Sequence, residues 1–201
     1  MNVTELLKKK LEKTVTRQQA EEAIKVLLAW AGDNPKREGL LDTPKRVIKA
    51  FEEYFSGYLI DPYKDLEKTF GDVEGYDDIV IQKNISIYSH CEHHMAPIIG
   101  VAHVAYVPHE KIVGLSKLAR VVEAYSRRLQ TQERLTMEIA NTIFKGLKAQ
   151  GAAVSIDAVH HCMTSRGIKK HEATTVTNYF TGVFKESHNL QNRFLHYIGQ
   201  K

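Results

Sequence analysis

The sequence predicts an α+β fold in which a helical segment precedes elements in the order β-β-α-α-β-β. Three observations carry this. Apolar residues recur at helical spacing through residue 57. From Ile79 the period changes to two. Two helical stripes then lie between pairs of strand-like segments. The expected organisation is a helical region at 1–57, a connecting loop at 58–78 and a catalytic region at 79–201.

Within the helical region, Thr16 with Gln19 three residues later is a capping-box pattern. Ala20, Ala23, Ile24, Leu27, Leu28 and Trp30 follow at helical spacing. Residues 32–39 form a polar break. Thr43 can cap the next helix, Pro44 fits its first turn, and Gly57 is a plausible stop. Val47, Ile48, Phe51, Tyr54 and Phe55 form its apolar stripe. Arg46 and Lys49 share a face that spacing alone reads as solvated. Residues 58–78 carry Gly, Pro, Asp and Tyr without a period and read as a loop.

Ile79, Ile81, Ile85 and Ile87 alternate with polar residues, which predicts a strand with one buried face. It leads into Cys91–His94. Pro97 and Gly100 punctuate, and a second strand over 101–107 completes an antiparallel hairpin. Ser116 is placed to cap a helix with Leu118, Val121, Val122 and Tyr125 inside. Lys117 and Arg120 sit near its N-terminus, where cations oppose the helix dipole; either an anion is held there or both are simply solvated. Thr131 caps a second helix with Leu135, Ile139, Ile143 and Leu147 inside, and Gln132 and Glu133 lie in its first turn. Residues 153–162 read as a third strand, with His160 and Cys162 on one face and His161 on the other. Arg166 and Gly167 mark a turn, residues 173–184 a fourth strand, and 187–198 a closing helix.

The chain has 201 residues, a formal net charge of +4 and two cysteines, Cys91 and Cys162. No apolar run is long enough to span a bilayer, and the Lys-rich start lacks the apolar segment of a signal peptide. A cytoplasmic protein is expected. There the two thiols read as ligands or nucleophiles rather than a disulfide. The dispersed basic residues suit a small anion and give no reason to expect nucleic acid.

The densest chemistry is Ser89-His-Cys-Glu-His-His94. Cys91 and His94 have the spacing of a chelating pair, and Cys162 can supply a third ligand. Three protein ligands leave tetrahedral zinc one position for water, the catalytic pattern; a closed structural site needs a fourth. Which histidine binds stays open, because His90 and His161 are close by. His93 and His160 flank the ligands and suit general acid/base work.

The sequence resembles the GTP cyclohydrolase I family. The resemblance rests on Cys91-Glu-His-His94, Gly114-Leu-Ser-Lys117 with Arg120, Gln132-Glu-Arg-Leu-Thr136, His160-His-Cys162 with Arg166-Gly167, and Asp42-Thr-Pro-Lys-Arg46. It runs from about residue 40 to the C-terminus. Residues 1–30 match only as generic helices, and the tail past Lys170 matches loosely.

The resemblance implies zinc on Cys91, His94 and Cys162, with His93, His160 and Ser116 as catalytic residues. It implies that Glu133 and Gln132 contact the guanine, and that Lys117, Arg120, Arg166, Arg46 and Lys49 hold the triphosphate. The implied reaction hydrolyses GTP at C8, releases formate and yields 7,8-dihydroneopterin triphosphate, the first step towards folate or a tetrahydropterin. The implied fold is the tunnelling fold, a four-stranded antiparallel sheet with two helices on one face. Its exposed edges pair around a ring, and two rings stack into a homodecamer with active sites at subunit interfaces.

Two other readings compete. A sister tunnelling-fold enzyme acting on a pterin or deazaguanine would carry three histidines on zinc, or a nucleophilic cysteine without metal. A non-catalytic zinc module would need a closed four-ligand site and a contiguous basic face. The Cys/His/Cys set argues against both forms of the first; for the second, neither feature is visible and Glu133, His93 and His160 would be idle.

Overall fold

The computed structural model describes residues 15–70 and 75–199. The helix expected at 1–14 and residues 71–74 of the expected loop lie outside the described residues.

Helix α1 (Arg17–Trp30) begins at Thr16 with the expected capping box: Gln19 N–H donates to Thr16 Oγ1 at 3.2 Å, and Thr16 N–H donates to Gln19 Oε1 at 2.8 Å. None of its residues is buried, and Trp30 is 84% exposed. It packs along α2 (Thr43–Tyr54), where Arg17 Nη1 meets Glu52 at 3.0 Å.

Two local expectations are corrected at α2. Asp42 occupies the N-cap position and Thr43 is already helical, with Pro44 in the first turn. Gly57 does not end the helix but lies in a 3-10 turn, Ser56–Leu59. A Cβ there would collide with Ala124 O and lie 2.8 Å from Arg127 O, so Gly57 lets this segment approach the backbone at the end of a core helix closely.

The expected loop also carries structure. A 3-10 turn, Lys64–Leu66, buries Leu66 to 1% exposure, and β1 (Thr69–Phe70) pairs antiparallel with β4 (Ile112–Val113). A single anchoring leucine in a polar stretch has no period, so alternation does not reveal it.

The main sheet is built from β2 (Val80–Cys91), β3 (Pro97–Val107), β6 (Gly151–His160) and β7 (Thr175–Gly182), antiparallel and adjacent in that order. A two-residue strand, β5 (Leu129–Gln130), adds in parallel beside His90 and Cys91. The sheet is therefore mixed rather than purely antiparallel, with the expected four strands as its body.

Helices α3 (Leu115–Ser126) and α4 (Gln132–Gly146) cover one face, meeting Ile87, Ile98, Val104, Val154 and Ile156 in the larger core. Gly114 occupies the N-cap of α3, so Ser116 is its second residue rather than its cap. Thr131 caps α4 as expected, accepting from Arg134 N–H at 3.3 Å. The chain closes through the helical turn α6 (Val183–Glu186) and helix α7 (His188–Tyr197), which pack Phe184 and Phe194 against the other face.

Strand β2 does not bury one face throughout. Gln82 pairs with Val104 but Ile85 with Ala102, so β2 spends three residues where β3 spends two. Asn84 takes the left-handed conformation at this bulge, φ 58°, which asparagine tolerates. The extra residue reverses the phase. Ile79 and Ile81 pack with the closing helix, whereas Ile85 and Ile87 pack under α3 and α4.

Two further boundaries move. Gly100 lies inside β3, where a Cβ would collide with Asp157 O and lie 2.5 Å from Ala158 Cα; it permits strand contact rather than punctuating the chain. Strand β6 ends at His160, and Cys162 sits on the helical turn α5 (His161–Thr164) rather than on an extended strand. No helix among the described residues is long and apolar enough to cross a membrane.

Candidate active site

The hairpin β2–β3 delivers the first ligands. Cys91 is the last residue of β2 and is buried; its N–H donates to Ala96 O and its carbonyl accepts from Met95 N–H, both at 2.8 Å. Glu92 N–H donates to Gln130 O at 3.0 Å, tying the loop to β5. This bracketing, with Met95 left-handed at φ 53°, turns His93 and His94 out of the sheet. Strand β6 runs beside β3 and ends at the same level, pairing His160 with Ile98, so α5 brings Cys162 to the hairpin.

The ligand atoms of Cys91, His94 and Cys162 lie within 4.8 Å of one another, with Cys91 Sγ 3.8 Å from His94 Nδ1. Around a tetrahedral zinc with ordinary Zn–S and Zn–N bonds, neighbouring ligand atoms stand roughly 3.5–3.8 Å apart. The spacing and the two-thiol, one-imidazole donor set therefore fit such an ion. Burial, and next the Cys91 sulfur, pushes the Cys162 thiol up. A divalent cation between the thiols reverses that preference. His93 Nδ1 lies 3.7 Å from Cys91 Sγ, but it is His94 that joins both cysteines within the 4.8 Å group.

His160 is half-buried at the end of β6. Burial holds its pKa below the ordinary value, and the Glu133 carboxylate pulls it back up. Its Nε2 lies 2.6 Å from Gln132 Oε1. Gln132 is itself buried, and its amide nitrogen donates towards Ile156 O, Thr175 O and Thr177 Oγ1. Beside it, Glu133 is exposed in the first turn of α4.

Eight of the expected site residues thus gather at one end of the sheet: Cys91, His93, His94, Gln132, Glu133, His160, Cys162 and Arg166. Arg166 is close enough to Cys162 to hold its thiol down in part. Ser116, Lys117 and Arg120 are not among them. They start α3 beside β4, where Val113 N–H donates to Tyr106 OH at 3.3 Å, and Tyr106 pairs with Val80 at the opposite end of β2 from Cys91. Helix α3 rises about 18 Å from Leu115 to Ser126, and Leu129 three residues on pairs with His90, so the start of α3 lies roughly 20 Å from the Cys91 end. Arg46 and Lys49 are exposed on α2; Arg46 pairs with Asp42 at 3.5 Å, and no hydrogen bond or ion pair joins either to the cluster among the described residues.

An anion does stand at the start of α3. Asp65 Oδ1 lies 3.4 Å from Lys117 Nζ and 3.3 Å from Arg120 Nη1. Sequence reasoning missed Asp65, and it missed Thr136 and Thr177 behind Gln132. A lone aspartate in a loop and threonines in a helix and a strand carry no motif. The only available signal was the uncompensated pair of cations.

An α+β scaffold that joins three metal-type ligands from two separate segments, and sets a half-buried histidine next to them, defines a class of protein able to hold a metal ion with a titratable side chain beside it. The chain belongs to the GTP cyclohydrolase I family, whose model matches residues 20–199. The GTP cyclohydrolase 1 of Pelagibacter ubique (strain HTCC1062) is 65% identical over 188 residues, covering 94% of this chain and 93% of the relative. Those of Maricaulis maris (strain MCS10) and Sinorhizobium fredii (strain NBRC 101917 / NGR234) are 56% and 57% identical, each over 180 residues covering 90% of this chain and 88% of the relative.

Proposed function

We propose that this chain hydrolyses GTP at guanine C8, releases formate and forms 7,8-dihydroneopterin triphosphate. The observation that carries the reading is the Cys91–His94–Cys162 group with His160 beside it, in a chain of this family. The balance is one water consumed: two hydrolyses take up two, and closure of the pterin ring returns one.

Zinc held by Cys91, His94 and Cys162 would supply Lewis acidity and an activated water at neutral pH. His160 gives a proton to guanine N7 as the imidazole ring opens, and takes it back in a later step. His93, exposed on the hairpin loop, serves the remaining proton transfers. Glu133 accepts from N1–H and the 2-amino group of guanine, a donor pair adenine does not offer. Lys117, Arg120 and Arg166 hold the triphosphate, aided by Arg46 and Lys49, and Ser116 lies near the ribose.

The reading includes more than one copy of the chain. The groups at the Cys91 end and those at the start of α3 stand roughly 20 Å apart, a separation set by the length of α3, which favours a site shared between subunits. In this reading a neighbouring subunit completes each site, and the expected assembly is the decamer. The long edge strand β7, with Val176 exposed, and the uncovered α1 support such an assembly. Two thiols in the ligand set suit a cytoplasmic protein, where they stay reduced.

The test is metal dependence. Formate release from GTP should stop after chelation and return with zinc. Turnover unchanged after demonstrated metal removal would contradict the reading.

A further inference from the structure

We propose that Gln132 is a positioning residue that holds the His160 ring in one orientation and one tautomer by accepting from its Nε2–H, rather than a contact to the guanine. The proposal rests on the acid/base reading of His160 given above. It changes the expected role of Gln132 from guanine contact to orienting group.

The hydrogen bonds fix the orientation of the amide. Two of the three groups facing one end of Gln132 are backbone carbonyls, Ile156 O at 3.1 Å and Thr175 O at 2.8 Å. A carbonyl only accepts, so that end is the NH2 group, and a flipped amide would set oxygen against oxygen. Oε1 is then the atom 2.6 Å from His160 Nε2. An amide oxygen also only accepts, so Nε2 carries the proton and the lone pair of neutral His160 resides on Nδ1.

The surrounding hydroxyls reinforce this in one consistent direction. Thr136 Oγ1 donates to Gln132 O at 2.7 Å, which spends its proton. Its 2.6 Å contact with Thr177 is therefore a donation from the Thr177 hydroxyl. That leaves Thr177 Oγ1 a lone pair for the Gln132 NH2 at 3.1 Å. The amide hydrogens are shared among three acceptors and the amide oxygen is committed to His160, so Gln132 has nothing free for a guanine edge. Its exposed neighbour Glu133 does.

The consequence is geometric. With Nε2–H held on Gln132 Oε1, the ring keeps one orientation beside the cluster.

Two measurements test this on the metal-replete full chain. The first is the two-bond 1H–15N spectrum of 15N-histidine-labelled protein, with His160 assigned by its loss in His160→Ala. The expected pattern is protonated Nε2 and bare Nδ1; protonated Nδ1 would overturn the proposal. The second is Gln132→Met, which keeps length and removes the acceptor. It should leave metal content and KM for GTP within about threefold while kcat falls on the order of 10²-fold, with the His160 signals moving towards a tautomer mixture. A raised KM with kcat preserved would make Gln132 a substrate contact and overturn the assignment. The spectrum of the unmodified chain needs neither a folded variant nor turnover. A failure of GTP hydrolysis would therefore remove the proposed reaction without deciding the tautomer, which the spectrum decides alone.

Discussion

Asp65 sets its carboxylate 3.4 Å from the Lys117 ammonium, and the same oxygen also reaches Arg120 at 3.3 Å. Both Asp65 and Lys117 are largely shielded, whereas Arg120 is open. If these cations hold the triphosphate, Asp65 competes with it for them. Asp65→Asn should therefore lower KM for GTP about three- to tenfold and steepen its salt dependence. Steady-state kinetics at two ionic strengths checks this. A raised KM would show instead that Asp65 holds the cations in their working positions.

The separation of Lys117 from His160 predicts complementation. Lys117→Ala and His160→Ala should each be inactive alone. Co-assembled at equal amounts, random pairing restores both groups to about one site in four, so roughly a quarter of normal turnover should return. No recovery in a demonstrated mixed assembly would mean that each site is built within one chain.

Gly100→Ala should be among the most damaging single-methyl additions. Its Cβ would strike the backbone of β6 at Asp157 and Ala158, which cannot move aside as a flexible side chain would. A loss of about 3 kcal/mol or more in denaturant unfolding is expected. An unchanged transition midpoint would contradict the close approach of the two strands.

His103 gives a pH dependence away from the metal-type cluster. Burial first, and Lys83 next, hold its pKa below the usual value, with Asp157 opposing. Its Nδ1 accepts from Asn84 N–H at 3.3 Å at the β2 bulge, which requires the neutral ring. A depressed pKa means that the unfolded chain binds the proton first as pH falls. The contribution of His103 is thus fully present above the ordinary histidine value of about 6.5 and is lost as pH drops from there through the lower folded value. Thermal unfolding from pH 7.5 to 5 should show this loss, and His103→Gln should flatten the slope. Equal slopes would contradict it.

What the sequence revealed, and what it hid, follows from the range of the interactions involved. Local patterns were legible: the Thr16 capping box, the stripes of α3 and α4, and the strand leading into Cys91. The metal-type group was legible because Cys91 and His94 are three residues apart and only one other cysteine exists. The bulge at Asn84 was hidden because alternation at Ile79, Ile81, Ile85 and Ile87 looks unbroken when the inserted residue is polar. Leu66 and Asp65 were hidden because each acts alone, through contacts about 50 residues or more away. The family resemblance places Gln132 with the substrate beside Glu133; only the positions of Ile156, Thr175 and Thr177 show that its amide donates to the protein itself.

The most direct test of the whole account is product analysis with zinc-loaded protein and GTP. Formate and 7,8-dihydroneopterin triphosphate should appear in equal amounts, and both should be lost in Cys162→Ser together with the metal. A zinc-replete protein that yields neither product, or that leaves the guanine ring of GTP intact, would contradict it.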